Sequence, residues 1–334
     1  MTGPRFGYRF ADVWFGSNIE FPELPRSDAT ANMRFAYVLD MVNAQETCMS
    51  EASSQSRAWT LGSDAASVRI QRSAAGYTLR FPGQGVFFVA TDEHRLSTII
   101  PHSVPQETVR HLFLDQVLPR LRAHAGRLIL HAAATAVDGH VVAFIGSTGS
   151  GKSTLAASFG VARHDVLSDD GLLLTDSDGC PAALPTYRSL RLWPDALASV
   201  FPKMPNTAPM AHYSSKRRVS LIEDSPRAER ALPLAAFYML DSALAAAGIT
   251  VSRLSGREAC MALISNAFQL DPSNHVTAIR LLDAVANVAS RVPAFSITYP
   301  RDFARLPEVR SAILAQRAQW TRCASVQATE PSKP

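Results

Sequence analysis

One short segment, GSTGSGKS at residues 146–153, restricts the fold of this chain more than any other feature. It fits the pattern G-x-x-x-x-G-K-S/T, whose glycines let the backbone curl so that its N–H groups point at phosphate oxygens. Such a loop needs a strand before it and a helix after it, because the helix N-terminus adds free donors and positive potential. The apolar run 141–145 and the helical pattern at 155–162 meet this requirement. We therefore expect an α/β fold built around a strand–loop–helix unit.

The loop predicts a nucleotide site. Lys152 is expected to reach the β- and γ-phosphates, and Ser153 is expected to ligate Mg²⁺. A glycine-rich turn that binds nothing is the alternative, and the flanking strand and helix argue against it. The predicted nucleotide-binding residues are Gly146, Ser147, Thr148, Gly149, Ser150, Gly151, Lys152, Ser153 and Thr154.

Two adjacent carboxylates follow the loop. Asp169 and Asp170 lie 17 and 18 residues after Lys152, across one predicted helix and a short predicted strand at 166–167. This spacing predicts that the pair lies beside the loop on an adjacent strand, although Asp-Asp-Gly is also a good turn sequence. One carboxylate then suits Mg²⁺, and the other suits proton abstraction from an attacking hydroxyl. We expect Asp169 to be the base and Asp170 the metal ligand, with exchanged roles also open.

Three further positions carry less specific signals. His131 lies 15 residues before the loop, in an apolar run where a histidine is as often structural as functional. Lys216 and Arg217, in a short basic run, suit either a clamp on the transferring phosphoryl group or a solvated basic turn. The other side chains considered are Arg191, as a weaker clamp, and Tyr187 and Trp193, as packing residues.

The sequence pattern divides the chain into two domains and a tail. Residues 1–125 are expected to form a smaller α+β domain with a strand meander and a helix over 105–121. This part has no clustered chemistry, so we expect a scaffold or docking role. Residues 126–320 are expected to form the domain that contains the phosphate loop. Residues 321–334 are expected to be a disordered tail.

Two apolar runs, 128–137 and 141–145, are joined by Asp138-Gly139, which is typical of a type I′ hairpin because both turn residues need a positive φ. The meander strands are predicted at 68–71, 77–80 and 85–90, after a loop at 44–66. Beyond the aspartate pair, the pattern predicts strands at 172–175, 235–240, 248–254 and 294–299, helices at 258–270, 276–291 and 306–320, and loops with short elements over 176–235.

Composition argues against several classes of protein. The 33 basic and 29 acidic residues give a net charge of +4 that is spread along the chain, unlike the concentrated basic face of a nucleic-acid binder. The sequence has no stretch of 18 apolar residues, and its start lacks a signal-peptide pattern. The four cysteines lie far apart, so we expect reduced thiols and no zinc site. These features predict a cytoplasmic protein that binds neither nucleic acid nor membrane.

The run from His131 to Asp170 resembles the catalytic core of the HPr serine kinase/phosphorylase family, which has a histidine, a phosphate loop and an aspartate pair at matching separations. A looser resemblance covers about residues 126–310, through the phrases at 190–195 and 216–218. It extends to HPr-kinase-like proteins found beside lasso-peptide genes, some of which phosphorylate a serine of the precursor peptide. The family's sensor domain and its signature loop with Gly and Asn have no counterpart here.

The resemblance implies a P-loop kinase domain of the HPr kinase/phosphoenolpyruvate carboxykinase type, with a mixed sheet and flanking helices. It implies ATP and Mg²⁺ as cofactors and a homo-oligomer. It also implies that His131 lines the site, that Lys152 and Ser153 bind phosphate and metal, and that the aspartate pair divides the base and metal roles. We therefore predict a Mg-ATP-dependent kinase acting on a serine of a protein or peptide.

Two other functions would use the same residues. A kinase of a small hydroxylated metabolite would differ only in its acceptor groove, which the sequence does not reveal. A nucleotide-dependent regulatory protein would bind ATP without transferring phosphate. The aspartate pair argues against this last function, because binding alone needs no base.

Overall fold

The computed structural model describes residues 4–27, 34–43, 57–61, 67–90, 95–220, 230–241 and 248–321. Within these ranges the chain is a mixed α/β structure with two large sheets and one small sheet. Most of the loop predicted at 44–66 and nearly all of the predicted tail fall outside the described residues. The exception in the loop is residues 57–61, which form a strand instead.

The first large sheet is formed by the first 100 residues. Its strands are β1 (Phe6–Phe10), β2 (Val13–Ser17), β3 (Arg26–Ser27), β4 (Tyr37–Asn43), β5 (Arg57–Leu61), β6 (Val68–Ser73), β7 (Gly76–Phe81), β8 (Gly85–Ala90) and β9 (Arg95–Ile100). They follow the order β3-β1-β2-β4-β9-β8-β7-β6-β5. The pairs β2–β4 and β4–β9 are parallel, and the predicted meander β6–β7–β8 is confirmed as antiparallel.

A helical segment packs against this sheet. It comprises α1 (Gln106–Leu112), a π-helical turn (Phe113–Val117) and α2 (Leu118–His124), so the helix predicted over 105–121 is confirmed but contains an unforeseen wider turn. Phe113 lies in the core, with its ring centroid 5.3 Å from that of Phe15. The same apolar cluster extends beyond residue 125 and includes Leu173, Leu184 and Tyr187.

The second large sheet carries the phosphate loop. Its strands are β10 (Leu128–Leu130), β11 (Ala133–Val137), β12 (His140–Ile145), β13 (Asp165–Ser168), β14 (Leu172–Ser177), β15 (Cys180–Pro185), β19 (Leu232–Asp241), β20 (Thr250–Arg253) and β21 (Ala294–Thr298). The hairpin β11–β12 is confirmed, with φ of 51° at Asp138 and 78° at Gly139. The single run predicted at 128–137 is divided, because β10 pairs with β14 whereas β11 pairs with β12 and β13.

Helices cover both faces of this second sheet. On one face lie α3 (Lys152–Val161) and α7 (Leu306–Leu314), and on the other lie α5 (Gly256–Ser265) and α6 (His275–Arg291). The strand β12 alternates between the two cores, as a strand buried on both sides must. The predicted helices 258–270 and 306–320 end earlier, at Ser265 and Leu314.

A small sheet lies in the stretch predicted as loops and short elements. It is formed by β16 (Ser189–Leu192), β17 (Thr207–Ala211) and β18 (Ser214–Ser220), in the order β16-β18-β17. The short helix α4 (Pro194–Val200) follows β16 and contacts α3.

Strand directions bring one edge of the second sheet together as a site. The strands β19 and β21 run parallel to β12. The strand β13 runs antiparallel to β11, which is itself antiparallel to β12, so β13 points the same way as β12. The residues that follow β12, β13, β19 and β21 therefore meet at one edge, together with those that precede β11.

Two further features of the described chain bear on the sequence predictions. Cys180 is disulfide-bonded and Cys260 is free, so the expectation of reduced thiols is wrong for Cys180. Separation along the sequence did not reveal this bond, because it depends on the tertiary fold. None of the described helices combines the length and apolar character needed to cross a membrane.

Candidate functional site

The loop at 146–153 leaves β12 and enters α3 through three glycines with positive φ: 142° at Gly146, 80° at Gly149 and 98° at Gly151. A side chain at Gly146 would place its Cβ 2.8 Å from the carbonyl oxygen of Leu240 on β19. Only glycine fits there, because the loop backbone lies directly against the neighbouring strand. The predicted strand–loop–helix geometry is present.

Lys152 is folded back into the loop. Its side chain is almost fully buried, and its Nζ donates to the carbonyl oxygens of Gly146 at 2.7 Å and Ser147 at 3.1 Å. Burial lowers the pKa of Lys152, and the nearby Asp170 and Asp169 oppose that shift. The ammonium group therefore lies inside the curve of the loop.

The aspartate pair lies beside the loop, at the end of β13. Asp169 accepts a hydrogen bond from the Oγ of Ser153 at 2.8 Å on one oxygen and from the backbone N–H of Arg191 at 2.8 Å on the other. Asp170 places its Oδ1 2.9 Å from the Nε2 of His131, which precedes β11. The structure thus brings together the loop, the pair and the histidine.

The two carboxylates lie in different electrostatic environments. Burial, together with the charge of Asp170, raises the pKa of Asp169 to about 6. Burial alone would also raise the pKa of Asp170, but Arg191 and the hydrogen bond to His131 hold it well below its usual value. Asp170 is therefore ionised at neutral pH, whereas Asp169 takes up a proton at a higher pH than Asp170 does.

The backbone at Asp170 is in the left-handed region, with a φ of 65°. Residues other than glycine rarely adopt this backbone conformation, and among them aspartate and asparagine tolerate it best. Such conformations persist where the surrounding structure fixes them, often at functional sites. Here the turn allows the two adjacent carboxylates to face different partners.

Arg191 lies behind the pair rather than in front of it. Its side chain is buried, and its Nη1 donates to the backbone oxygen of Asp169 at 2.8 Å and lies 3.3 Å from the Oδ2 of Asp170. The weaker clamp role considered for Arg191 is therefore wrong, because its guanidinium already binds these groups from the protein interior. Tyr187 is buried as expected, but Trp193 is 47% exposed and is not a packing residue.

The basic run on β18 is divided between two directions. Lys216 places its Nζ 5.5 Å from the ring centre of Trp193 and interacts electrostatically with Asp170 and Lys152. Arg217 instead binds Thr207 on β17, through its Nε at 3.2 Å. Alternate residues of a strand point to opposite faces, so adjacent basic residues cannot both face the loop.

Two residues that the motifs did not indicate touch the loop. Asn266, which follows α5, accepts a hydrogen bond from the N–H of Gly146 at 3.0 Å, and its backbone oxygen accepts one from the N–H of His131 at 2.7 Å. Arg301, which follows β21, donates to the backbone oxygen of Gly149 at 3.2 Å. Both contacts span more than 100 residues of sequence, so local patterns carry no signal for them.

The residues present fit a nucleotide and a divalent cation. The Oγ of Ser150 in the loop is buried without a hydrogen-bond partner, whereas residues 147–149 are exposed. Across the described ranges, no cluster of three or more His, Cys, Asp or Glu side chains could hold a metal by itself. Mg²⁺ commonly takes one or two protein oxygens and completes its shell with phosphate oxygens and water. Ser153 and the two aspartates suit that partial site.

Comparisons with known proteins give a distant structural match. No protein-family model matches the sequence, and no curated protein sequence matches it. Among solved structures, the chain is similar to the Hpr(Ser) kinase/phosphatase from Coxiella burnetii. The two share 9% sequence identity, with a TM-score of 0.31, over 57% of this chain and 97% of that chain.

Proposed function

We propose that this protein is a Mg-ATP-dependent phosphotransferase that transfers the γ-phosphoryl group to a serine hydroxyl of a protein or peptide. The observation that carries the proposal is the pair of contacts beside the loop, Ser153 to Asp169 and His131 to Asp170. The first suits a metal-holding pair and the second suits an oriented base, and phosphoryl transfer needs both beside the phosphates.

The loop and Lys152 bind and orient the phosphates. Backbone N–H groups of the loop and the N-terminus of α3 face the phosphate oxygens, and the Lys152 ammonium adds a full positive charge. Ser153 and Asp169 would hold Mg²⁺, which supplies neutralisation of the charge on the phosphate oxygens. These groups are fixed before the reaction, so little reorganisation is needed as charge develops.

Asp170 is the base in this proposal, which exchanges the roles expected from the sequence. Asp169 is fully buried, whereas the side chain of Asp170 is 21% exposed, so Asp170 is the carboxylate that an acceptor from solvent can reach. Asp170 takes the proton of the acceptor hydroxyl while the oxygen of that hydroxyl attacks the γ-phosphorus. The bond from that phosphorus to the bridging oxygen breaks, and ADP leaves with the electron pair. His131 orients the carboxylate.

The surface around the loop supports a macromolecular acceptor. Residues 147–149 are exposed, and the half-exposed indole of Trp193 lies beside Lys216. An exposed aromatic side chain next to a cation suits contact with a polypeptide chain. A hydroxyl carried on an extended segment can approach Asp170 from this side.

Transfer from γ-labelled ATP tests the proposal. The wild-type chain and Asp170→Asn are incubated with Mg²⁺ and cell extract, and label is followed in polypeptide and small-molecule fractions. We expect label on serine of a polypeptide with the wild type and its loss with the variant. Label on a small molecule would keep the mechanism and change the acceptor class. Nucleotide binding without transfer to any fraction would favour a regulatory protein and contradict the proposal.

Lys216 and Arg217 offer a matched test of the basic run. Changing Lys216 to methionine removes the charge near Asp170, and we expect kcat to fall about tenfold, or about 1.4 kcal/mol of transition-state stabilisation. Changing Arg217 to methionine removes the same charge from the opposite face, and we expect kcat to change less than about twofold. Steady-state kinetics of both variants makes the comparison. Equal losses would show that only the net charge matters.

A further inference from the structure

Asp115 places a buried carboxylate behind the candidate site. It belongs to the π-helical turn Phe113–Val117 of the helical segment, and its side chain is 2% exposed. It accepts a hydrogen bond from the Nη2 of Arg191 at 2.7 Å and one from the hydroxyl of Tyr187, and it lies 2.6 Å from the Nδ1 of His111. A carboxylate this deeply buried is retained only with such partners.

Arg191 connects this carboxylate to the aspartate pair. One nitrogen of its guanidinium binds Asp115, and the other binds the backbone oxygen of Asp169 and lies near Asp170. Its backbone N–H also donates to the Oδ2 of Asp169. The planar guanidinium has its donors in fixed directions, so a partner on one side determines where the other side points.

The local backbone supports a specific purpose for Asp115. π-Helical turns are rare and occur often at functional sites, where they redirect side chains of an otherwise regular helix. This turn lies between α1 and α2 and its residues Phe113, Leu114 and Val117 are in the core. Asp115 is the charged exception, and it points at Arg191.

We propose that Asp115 is a positioning residue, through which the first part of the chain fixes Arg191 and thereby the Asp169–Asp170 pair. This inference rests on the proposed phosphotransfer. It changes the role expected for residues 1–125, because a segment predicted as scaffold contributes one end of the charged chain behind the site. Asp115 acts through Arg191 and does not touch the reacting atoms.

The test compares two aspartates of the same part of the full-length chain. Asp115→Asn keeps the shape of the side chain and removes the charge that holds Arg191. Asp12→Asn removes a carboxylate that binds Arg122 and Arg127 and has no contact with Arg191. With Asp115→Asn we expect kcat to fall about 100-fold, as small misplacements of catalytic groups can cause, with the KM for ATP within about twofold. With Asp12→Asn we expect both constants to stay near the wild-type values.

A second variant covers the case in which Asp115→Asn does not fold. Tyr187→Phe removes one donor to Asp115 and leaves every charge in place. We expect a smaller fall in kcat, about fivefold, again with an unchanged KM for ATP. Thermal unfolding of each variant is measured beside its kinetics.

The outcomes separate this inference from the proposed function. A folded Asp115→Asn protein with wild-type kcat would overturn the positioning role and leave phosphotransfer intact. Equal losses of kcat in Asp115→Asn and Asp12→Asn would also overturn it, because the loss would then follow stability alone. If Asp115→Asn does not fold, wild-type kcat in Tyr187→Phe overturns it. A wild-type chain that transfers no phosphate contradicts the proposed function before any variant is compared.

Discussion

Changing Lys152 to alanine is expected to reduce phosphate transfer at least about 1,000-fold, because the proposed mechanism places the charge of Lys152 against the transferring group. The Nζ of Lys152 is held by the carbonyl oxygens of Gly146 and Ser147, so its position is fixed before a phosphate binds. The same variant is expected to bind ATP about tenfold more weakly, since the ground-state phosphates lose one of several contacts. Transfer of label and calorimetric titration with ATP measure the two effects.

The exposed Lys203 serves as the control for that change. Lys203→Ala removes the same charge from the surface and is expected to keep both transfer and affinity. Substantial transfer by Lys152→Ala, beside an unaffected Lys203→Ala, would contradict the site described here. A fall in affinity as large as the fall in rate would indicate that Lys152 binds substrate and transition state equally.

The two aspartates are expected to fail in different ways. Asp170→Asn should reduce kcat about 100- to 10,000-fold with little change in the Mg²⁺ requirement, because it removes a base. Asp169→Asn should raise the Mg²⁺ concentration needed for half-maximal rate, because it weakens the group that holds Ser153. Titration of the rate with Mg²⁺ at saturating ATP distinguishes the two.

Asparagine is the suitable replacement at position 170, since it also tolerates the left-handed backbone found there. The replacement therefore adds no backbone strain at position 170, and thermal unfolding checks that the variant is folded. If Asp170→Asn changes the Mg²⁺ requirement and Asp169→Asn does not, the roles are those first expected from the sequence. If neither variant loses activity, phosphotransfer at this pair is wrong.

The sequence predicted those parts of the fold that local chemistry determines. The loop was recognisable because its glycines, the strand before it and the helix after it all lie within about 20 residues of sequence. The hairpin was recognisable because Asp138-Gly139 fits a turn that few other residue pairs fit. The position of the aspartate pair followed from the length of one helix and one strand, which fixes where the next strand ends.

Long-range contacts were beyond prediction from the sequence. Asp115, Asn266 and Arg301 reach the site from positions that have no motif of their own. The small sheet β16–β18–β17 was not foreseen either, because short strands in a stretch rich in proline leave no clear period. The break between β10 and β11 was hidden for a related reason, since buried strands read as one continuous apolar run.

The apolar cluster under the first sheet crosses the predicted boundary at residue 125. Phe10 packs near Tyr187, with ring centroids 6.5 Å apart, and Leu173 and Leu184 belong to the same cluster. A shortened protein of residues 126–320 would expose these side chains to water as one contiguous apolar surface. Such surfaces promote self-association. The shorter chain would also lack the Asp115 carboxylate that binds Arg191. We therefore expect each part to self-associate when it is produced alone. Co-expression of the two parts is expected to restore the hydrophobic core that they share.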